Sequence, residues 1–158
     1  MDVSFKVEND KFNYRVCAII LNDGKILAMR DERSPYFYLP GGRVKLGETA
    51  ENAVIRELKE ELKITATIAR PLWFHQGFFQ EDVDGLHYHE ICIYFLMDVS
   101  STGLLSRGDE FFLQAGIHSH RFKWLNYEAL QHEYFYPLFL KKKIFDLPQT
   151  FTIQTEYE

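Results

Sequence analysis

The stretch that decides the fold is Gly42–Ile64, GRVKLGETAENAVIRELKEELKI. From Thr49 to Leu62 its apolar residues recur at helical spacing, with Thr49 placed to cap the first turn and Glu51 suited to the positive end of the helix dipole. At roughly 100° per residue, Val54, Leu58 and Leu62 share one stripe. Glu57 and Glu61 then project within about 40° of each other, and Glu60 lies roughly 60° from Glu57, away from the stripe. Lys59 and Lys63 fall on the opposite, solvent-like side. The carboxylates therefore gather beside the core-facing stripe, next to Ala50 and Ala53, and are not interleaved with the lysines. Like charges four residues apart destabilise a helix by roughly 0.2–0.5 kcal/mol when exposed, and by more when desolvated. A hard divalent cation with oxygen ligands would offset that cost. Taken alone, such a cluster is more often a solvated charged face.

The residues before the helix change that balance. Pro40-Gly41-Gly42 allows a backbone to approach a ligand closely. Glu48 stands six residues after Gly42 and eight before Arg56, so a forked pair between Arg56 and Glu48 would tie the loop to the helix.

Outward from this segment, Tyr14–Leu21 reads as a strand, Asn22-Asp23-Gly24 as a tight turn and Lys25–Arg30 as the hairpin partner. Ala66–Gln80 and Tyr88–Val99 read as strands joined through the turn residues Asp82-Val83-Asp84-Gly85. A loop over Ser101–Gly108, a strand over His120–Leu125 and a short helix near Tyr127–His132 follow. Pro137 opens a last helix to about Phe145, and Pro148 stops it. Gln149–Glu158 fits either a strand or a loose end. This order predicts an α/β or α+β sandwich. A chain of 158 residues is long enough for one cored domain and too short for two ordinary ones, so residues 1–158 read as a single domain.

The net charge of −5 argues against a non-specific nucleic-acid surface, though not against a small basic pocket. No apolar run reaches membrane-spanning length and the first residues lack a signal-peptide core, so a cytoplasmic protein without membrane contact is expected. Cys17 and Cys92 read as buried core thiols.

The pattern of Gly42, Glu48 and Arg56-Glu57-Leu58-Lys59-Glu60-Glu61-Leu62-Lys63-Ile64 resembles the box of the Nudix hydrolase family, MutT-like. It spans 23 residues and holds every charged position of the motif. One position departs, with Lys63 where the family has glycine. That glycine ends the helix in a left-handed conformation, so lysine costs on the order of 1 kcal/mol or ends the helix differently. The resemblance implies the Nudix α/β/α sandwich, with a mixed β-sheet between helices. It also implies a hydrolase that cleaves the diphosphate linkage of a nucleoside diphosphate derivative by attack of water on phosphorus. Nucleoside triphosphates, dinucleotides and nucleotide-sugars are the implied substrate types.

By the same resemblance, Glu57, Glu60 and Glu61 would hold magnesium or manganese with the Gly41 carbonyl. Glu57 is also a candidate general base, as in some members, and Arg56 and Glu48 would orient the helix. For a further glutamate from outside the box, Glu110 stands first and Glu90 second. Among aromatic residues that could stack on a base, Trp73, Phe74, Phe78, Phe79 and Tyr88 qualify, with Phe79 and Tyr88 taken as substrate residues. Of Arg30, Arg43 and Arg70, Arg43 is favoured for phosphate because it follows the glycine turn. The pairs His87/His89 and His118/His120 each share a strand face, but without matching cysteines they do not support zinc. The partner expected is a small nucleotide-type diphosphate, with no nucleic acid; a homodimer is compatible. A binding module that senses a nucleotide or ADP-ribose without cleaving it is the main alternative, and an isomerase acting on a diphosphate is the third.

Overall fold

A computed structural model describes residues 1–158. Its central strand is β2 (Asp10–Ile19), preceded by β1 (Ser4–Val7). From Val16 to Ile20 the chain is buried throughout, the mark of a strand covered on both faces. Its ladder is taken on one side by the antiparallel β1 and by β5 (Gly41–Arg43), and on the other by the parallel β7 (His87–Asp98). Beyond β7 lies the antiparallel β6 (Thr67–Gln80), and then β10 (Thr152–Tyr157), parallel to β6. The segment Gln149–Glu158, which the sequence leaves open, thus supplies an edge strand.

The hairpin expected after Tyr14–Leu21 is more local than foreseen. The chain leaves the first sheet at Ile19, and only β3 (Leu21–Asn22) folds back on β4 (Lys25–Arg30). Asp23 and Gly24 take φ values of 52° and 72° between them, as a two-residue hairpin turn requires. Because β2 has its neighbours already, β4 finds its long partner in β9 (His118–Asn126), which pairs with β8 (Glu110–Ala115). Strand β8 was not foreseen; Phe111, Leu113 and Ala115 face inward there while Phe112 stays exposed.

Alternation along β2 sends Val16 and Ala18 to one core and Cys17 and Ile19 to the other. The first core lies under α1 (Ala50–Leu62), whose Ala53, Val54, Leu58 and Leu62 pack on Val16, Leu27, Met29 and Phe122. The second lies under Phe135, Phe139 and Leu140, after α2 (Tyr127–Leu130). Helical turns begin at Pro137 as expected, but Leu140, Lys141 and Lys142 bond three residues back. Only α3 (Leu140–Lys143) is α-helical. Helices therefore cover both faces of a mixed sheet, which is split into two pieces side by side. Both cysteines are buried and unpaired by a disulfide. No helix is long and apolar enough to cross a membrane.

Candidate active site

The site starts where α1 is pinned to the glycine strand. Thr49 Oγ1 accepts from the Asn52 amide at 3.1 Å, so the helix begins where its cap dictates. Arg56 then works as a hub. Its Nε and Nη2 fork onto Glu48 at 2.8 and 3.0 Å, Nη2 also donates to the Arg43 carbonyl at 3.1 Å, and Nη1 donates to Glu57 at 2.9 Å. One guanidinium thereby ties together helix, loop and β5.

Glycine is required at position 41 by the backbone of β2, and at position 42 for Glu57 to keep its place. A Cβ on Gly42 would sit 2.4 Å from Glu57 Oε1, and one on Gly41 would sit 2.1 Å from the Val16 carbonyl oxygen. The Gly41 amide donates to Glu61 Oε1 at 3.1 Å. Glu57 and Glu61 are thus held against bare backbone, where the Glu57 charge acts on Glu61.

The three box carboxylates are not equivalent. Burial raises the Glu57 pKa, opposed by Arg56. Glu61 is raised well above the usual carboxylate range by burial and then by the Glu57 charge. Glu60 turns outward, with its side chain 55% exposed and 3.3 Å from Arg56. No group of three His, Cys, Asp or Glu side chains stands ready to hold an ion; Glu60 is the member that points away. The Arg56 hydrogen bonds pull Glu48 down to about 2. Lys63 adopts the left-handed conformation itself, at φ 58° and ψ 37°, and its Nζ donates to the Glu60 carbonyl at 2.6 Å. The helix therefore ends as it would with glycine, at the conformational cost of a side chain.

On the opposite face of β2 and β5 lies a cavity of about 380 Å³. Arg43, Phe79 and Tyr88 all line it, as do Phe78 and Glu90. Phe79 and Tyr88 stack on each other, with centroids 5.1 Å apart and planes 9° from parallel. The remaining residues considered for substrate contact lie elsewhere. Trp73 is core, Arg30 sits over the Phe37 ring, and Arg70 donates to the Pro148 carbonyl. Glu110 lies on β8 in the second sheet, where Arg121 forks onto it at 3.1 and 3.2 Å. His118 pairs with Glu32 at 2.6 Å, His120 lies 3.7 Å from Asp31, and His89 packs against Phe12 and Phe78.

Sequence reasoning missed Arg15, Tyr36, Tyr134, Tyr136, His75 and Glu156, all of which line the cavity. Tyr36 meets Tyr136 edge-on at 4.8 Å and Tyr134 at 5.4 Å. Burial would lower the Arg15 pKa, but Glu90 and its other neighbours raise it on balance, so it stays a fixed cation. A charged residue at position 15, within the otherwise apolar run Tyr14–Leu21, was the one signal available. The tyrosines gave none, because they come from two loops about a hundred residues apart.

A model of the NUDIX domain matches residues 11–144, and the chain belongs to that family. Over 98 residues it is 38% identical to an ADP-ribose pyrophosphatase of Methanocaldococcus jannaschii, covering 60% of this chain and 55% of that protein. Over 80 residues it is 36% identical to a CTP pyrophosphohydrolase of Escherichia coli, covering 47% of this chain and 56% of that one. The chain thus spans about half the length of these curated relatives. Among solved structures, a MutT protein from Methanosarcina mazei superposes with a TM-score of 0.61 at 23% identity, covering 85% of this chain and 91% of that one. That likeness shows the fold.

Proposed function

We propose that the protein is a metal-dependent hydrolase that cleaves the diphosphate linkage of a nucleoside diphosphate derivative. The observation that carries this reading is the Glu57–Glu61 pair, half-buried against the bare backbone of Gly41 and Gly42 with only Arg56 hydrogen-bonded to it from a basic side chain. Two adjacent, half-buried carboxylates favour a shared proton or a cation. An all-oxygen donor set of Glu57, Glu61 and the Gly41 carbonyl suits magnesium or manganese. Glu60 would complete it on leaving its contact with Arg56. When bound, such an ion supplies neutralisation of the diphosphate oxygens.

The chain's own groups do the rest. Glu57, its pKa raised by burial, accepts a proton from the attacking water. Glu61 is fixed by the Gly41 amide. Arg56 and Glu48 keep helix and glycine strand in register, and Arg43, with Arg15 on the neighbouring strand, offers positive charge to phosphates. Phe79, Tyr88 and the three tyrosines give a base apolar faces on which to stack. The names of the relatives support substrates of the ADP-ribose or nucleoside triphosphate kind.

Release of phosphate or nucleoside monophosphate from nucleoside triphosphates, dinucleoside polyphosphates and ADP-ribose, with magnesium and with a chelator, tests the proposal. Turnover of at least one substrate, abolished by the chelator, is expected. Tight binding of one member without turnover of any would instead make this a sensor.

A further inference from the structure

The cavity has two chemically different ends, and strand order sets them apart. Arg43 on β5 and Arg15 on β2 mark the end formed by the strand pair whose other face packs against α1. At the other end, β10 brings Glu156 into the lining, beyond the residues that the family model matches. Between β2 and β10 lie β7 and β6, so the two ends stand three strand spacings apart, roughly 14 Å. That is about the reach of a nucleoside monophosphate from phosphate to the far edge of its base. Aromatic side chains flank the path, and Gly77 leaves the floor of β6 open, since a Cβ there would meet His75 at 3.3 Å.

Glu156 is held for one purpose on this geometry. His75 Nε2 lies 2.7 Å from Glu156 Oε1, and its ring is fixed by stacking on Phe139 at 4.9 Å. Oε2 has no protein donor. The carboxylate is only 18% exposed, so a ligand that reached it without a donor would leave a mostly desolvated acceptor unpaired.

We propose that Glu156, oriented by His75, is the specificity-determining acceptor for the exocyclic amine of adenine or cytosine. The keto isosteres hypoxanthine and uracil would turn an oxygen lone pair toward it and be rejected. This rests on the reading that the cavity holds a nucleotide, but not on hydrolysis.

Calorimetric binding of AMP against IMP, and of CMP against UMP, to the metal-free protein tests it. The amino member of at least one pair should bind roughly tenfold tighter or better, in line with the cost of an unpaired buried acceptor. In Glu156→Gln, a near-isosteric change that still accepts from His75, that preference should collapse to less than about threefold. His75→Gln, whose amide can take the place of Nε2, should keep the preference, and His75→Leu should lose it. Equal weakening of both members of a pair in Glu156→Gln would mean that the carboxylate contacts the ribose, and would overturn the proposal. Loss of selectivity in Glu158→Gln with retention in Glu156→Gln would overturn it equally. Selective binding without hydrolysis of any substrate leaves this inference standing and removes the enzymatic one. Hydrolysis without base preference does the reverse.

Discussion

The two faces of the strand pair β2–β5 carry sites built in opposite ways. On the α1 face, every functional group lies between Gly41 and Glu61, and one arginine bonds to loop, strand and helix. On the cavity face, Arg15, Glu90, His75 and Glu156 come from four strands, and Tyr36, Tyr134 and Tyr136 from two distant loops. The first site concentrates charge where burial makes it costly. The second spreads aromatic surface around a void and places charge at its ends. On the proposed function, chemistry that tolerates little displacement sits on one helix and its adjoining strand, while recognition is assembled from elements whose side chains can change separately.

The largest effect that separates the faces should be on turnover. Glu57→Gln and Glu61→Gln should each lower the turnover number by at least roughly tenfold, as loss of a base or cation ligand does. Steady-state kinetics on the best substrate will show it, and near-wild-type rates in both variants would remove the assigned roles. Glu61→Gln should at the same time raise the thermal midpoint of the metal-free protein by a few degrees, because the buried carboxylate and its repulsion with Glu57 are gone. A substitution that stabilises the protein and disables it is the signature of a carboxylate placed for a cation.

Next in size is the hub. Arg56→Ala should destabilise the fold by about 2 kcal/mol, the scale of lost charged hydrogen bonds with partners left unpaired; denaturant titration measures it. The Glu48 end of that fork sets a pH dependence. Its pKa is depressed to about 2 from an ordinary value of 4.5, so its contribution is complete above about pH 4.5 and is lost as the pH falls toward 2. Glu48→Gln should flatten that acid limb of the thermal midpoint. An unchanged limb would place the acid sensitivity elsewhere.

Smaller effects belong to the cavity and the helix end. Phe79→Ala or Tyr88→Ala should raise KM several-fold with little change in the turnover number, since stacking helps ground and transition states alike. A fall in the turnover number alone would contradict the division of labour between the faces. Lys63→Gly should stabilise the protein by less than about 1 kcal/mol, the relief of a left-handed side chain set against the lost bond to the Glu60 carbonyl.

The difference between the faces also explains what could be read in advance. Thr49, Arg56, Glu57 and Leu58 are placed by helical spacing, which depends on neighbours within one or two turns, so the helix was legible to the residue. Strand β8 was not, because the apolar run Phe111-Phe112-Leu113 shows no alternation in sequence, although Phe112 is exposed between half-buried Phe111 and Leu113 once β9 lies alongside. The pairing of β4 with β9 was hidden for a related reason. A turn at Asp23-Gly24 defines a hairpin only for the residues next to it, and the burial of β2 on both faces decided the rest.

By itself the sequence determined the family, the helix with its cap, and the glutamates gathered beside its apolar stripe, because those follow from local periodicity and one contiguous motif. Tertiary structure alone decided that β4 pairs with β9 and that four strands and two distant loops line the cavity. It also decided that the last strand carries Glu156 to His75 across 81 positions of chain. Those outcomes depend on which distant strand ends up next to which, and on the burial that follows. No spacing within the chain encodes that.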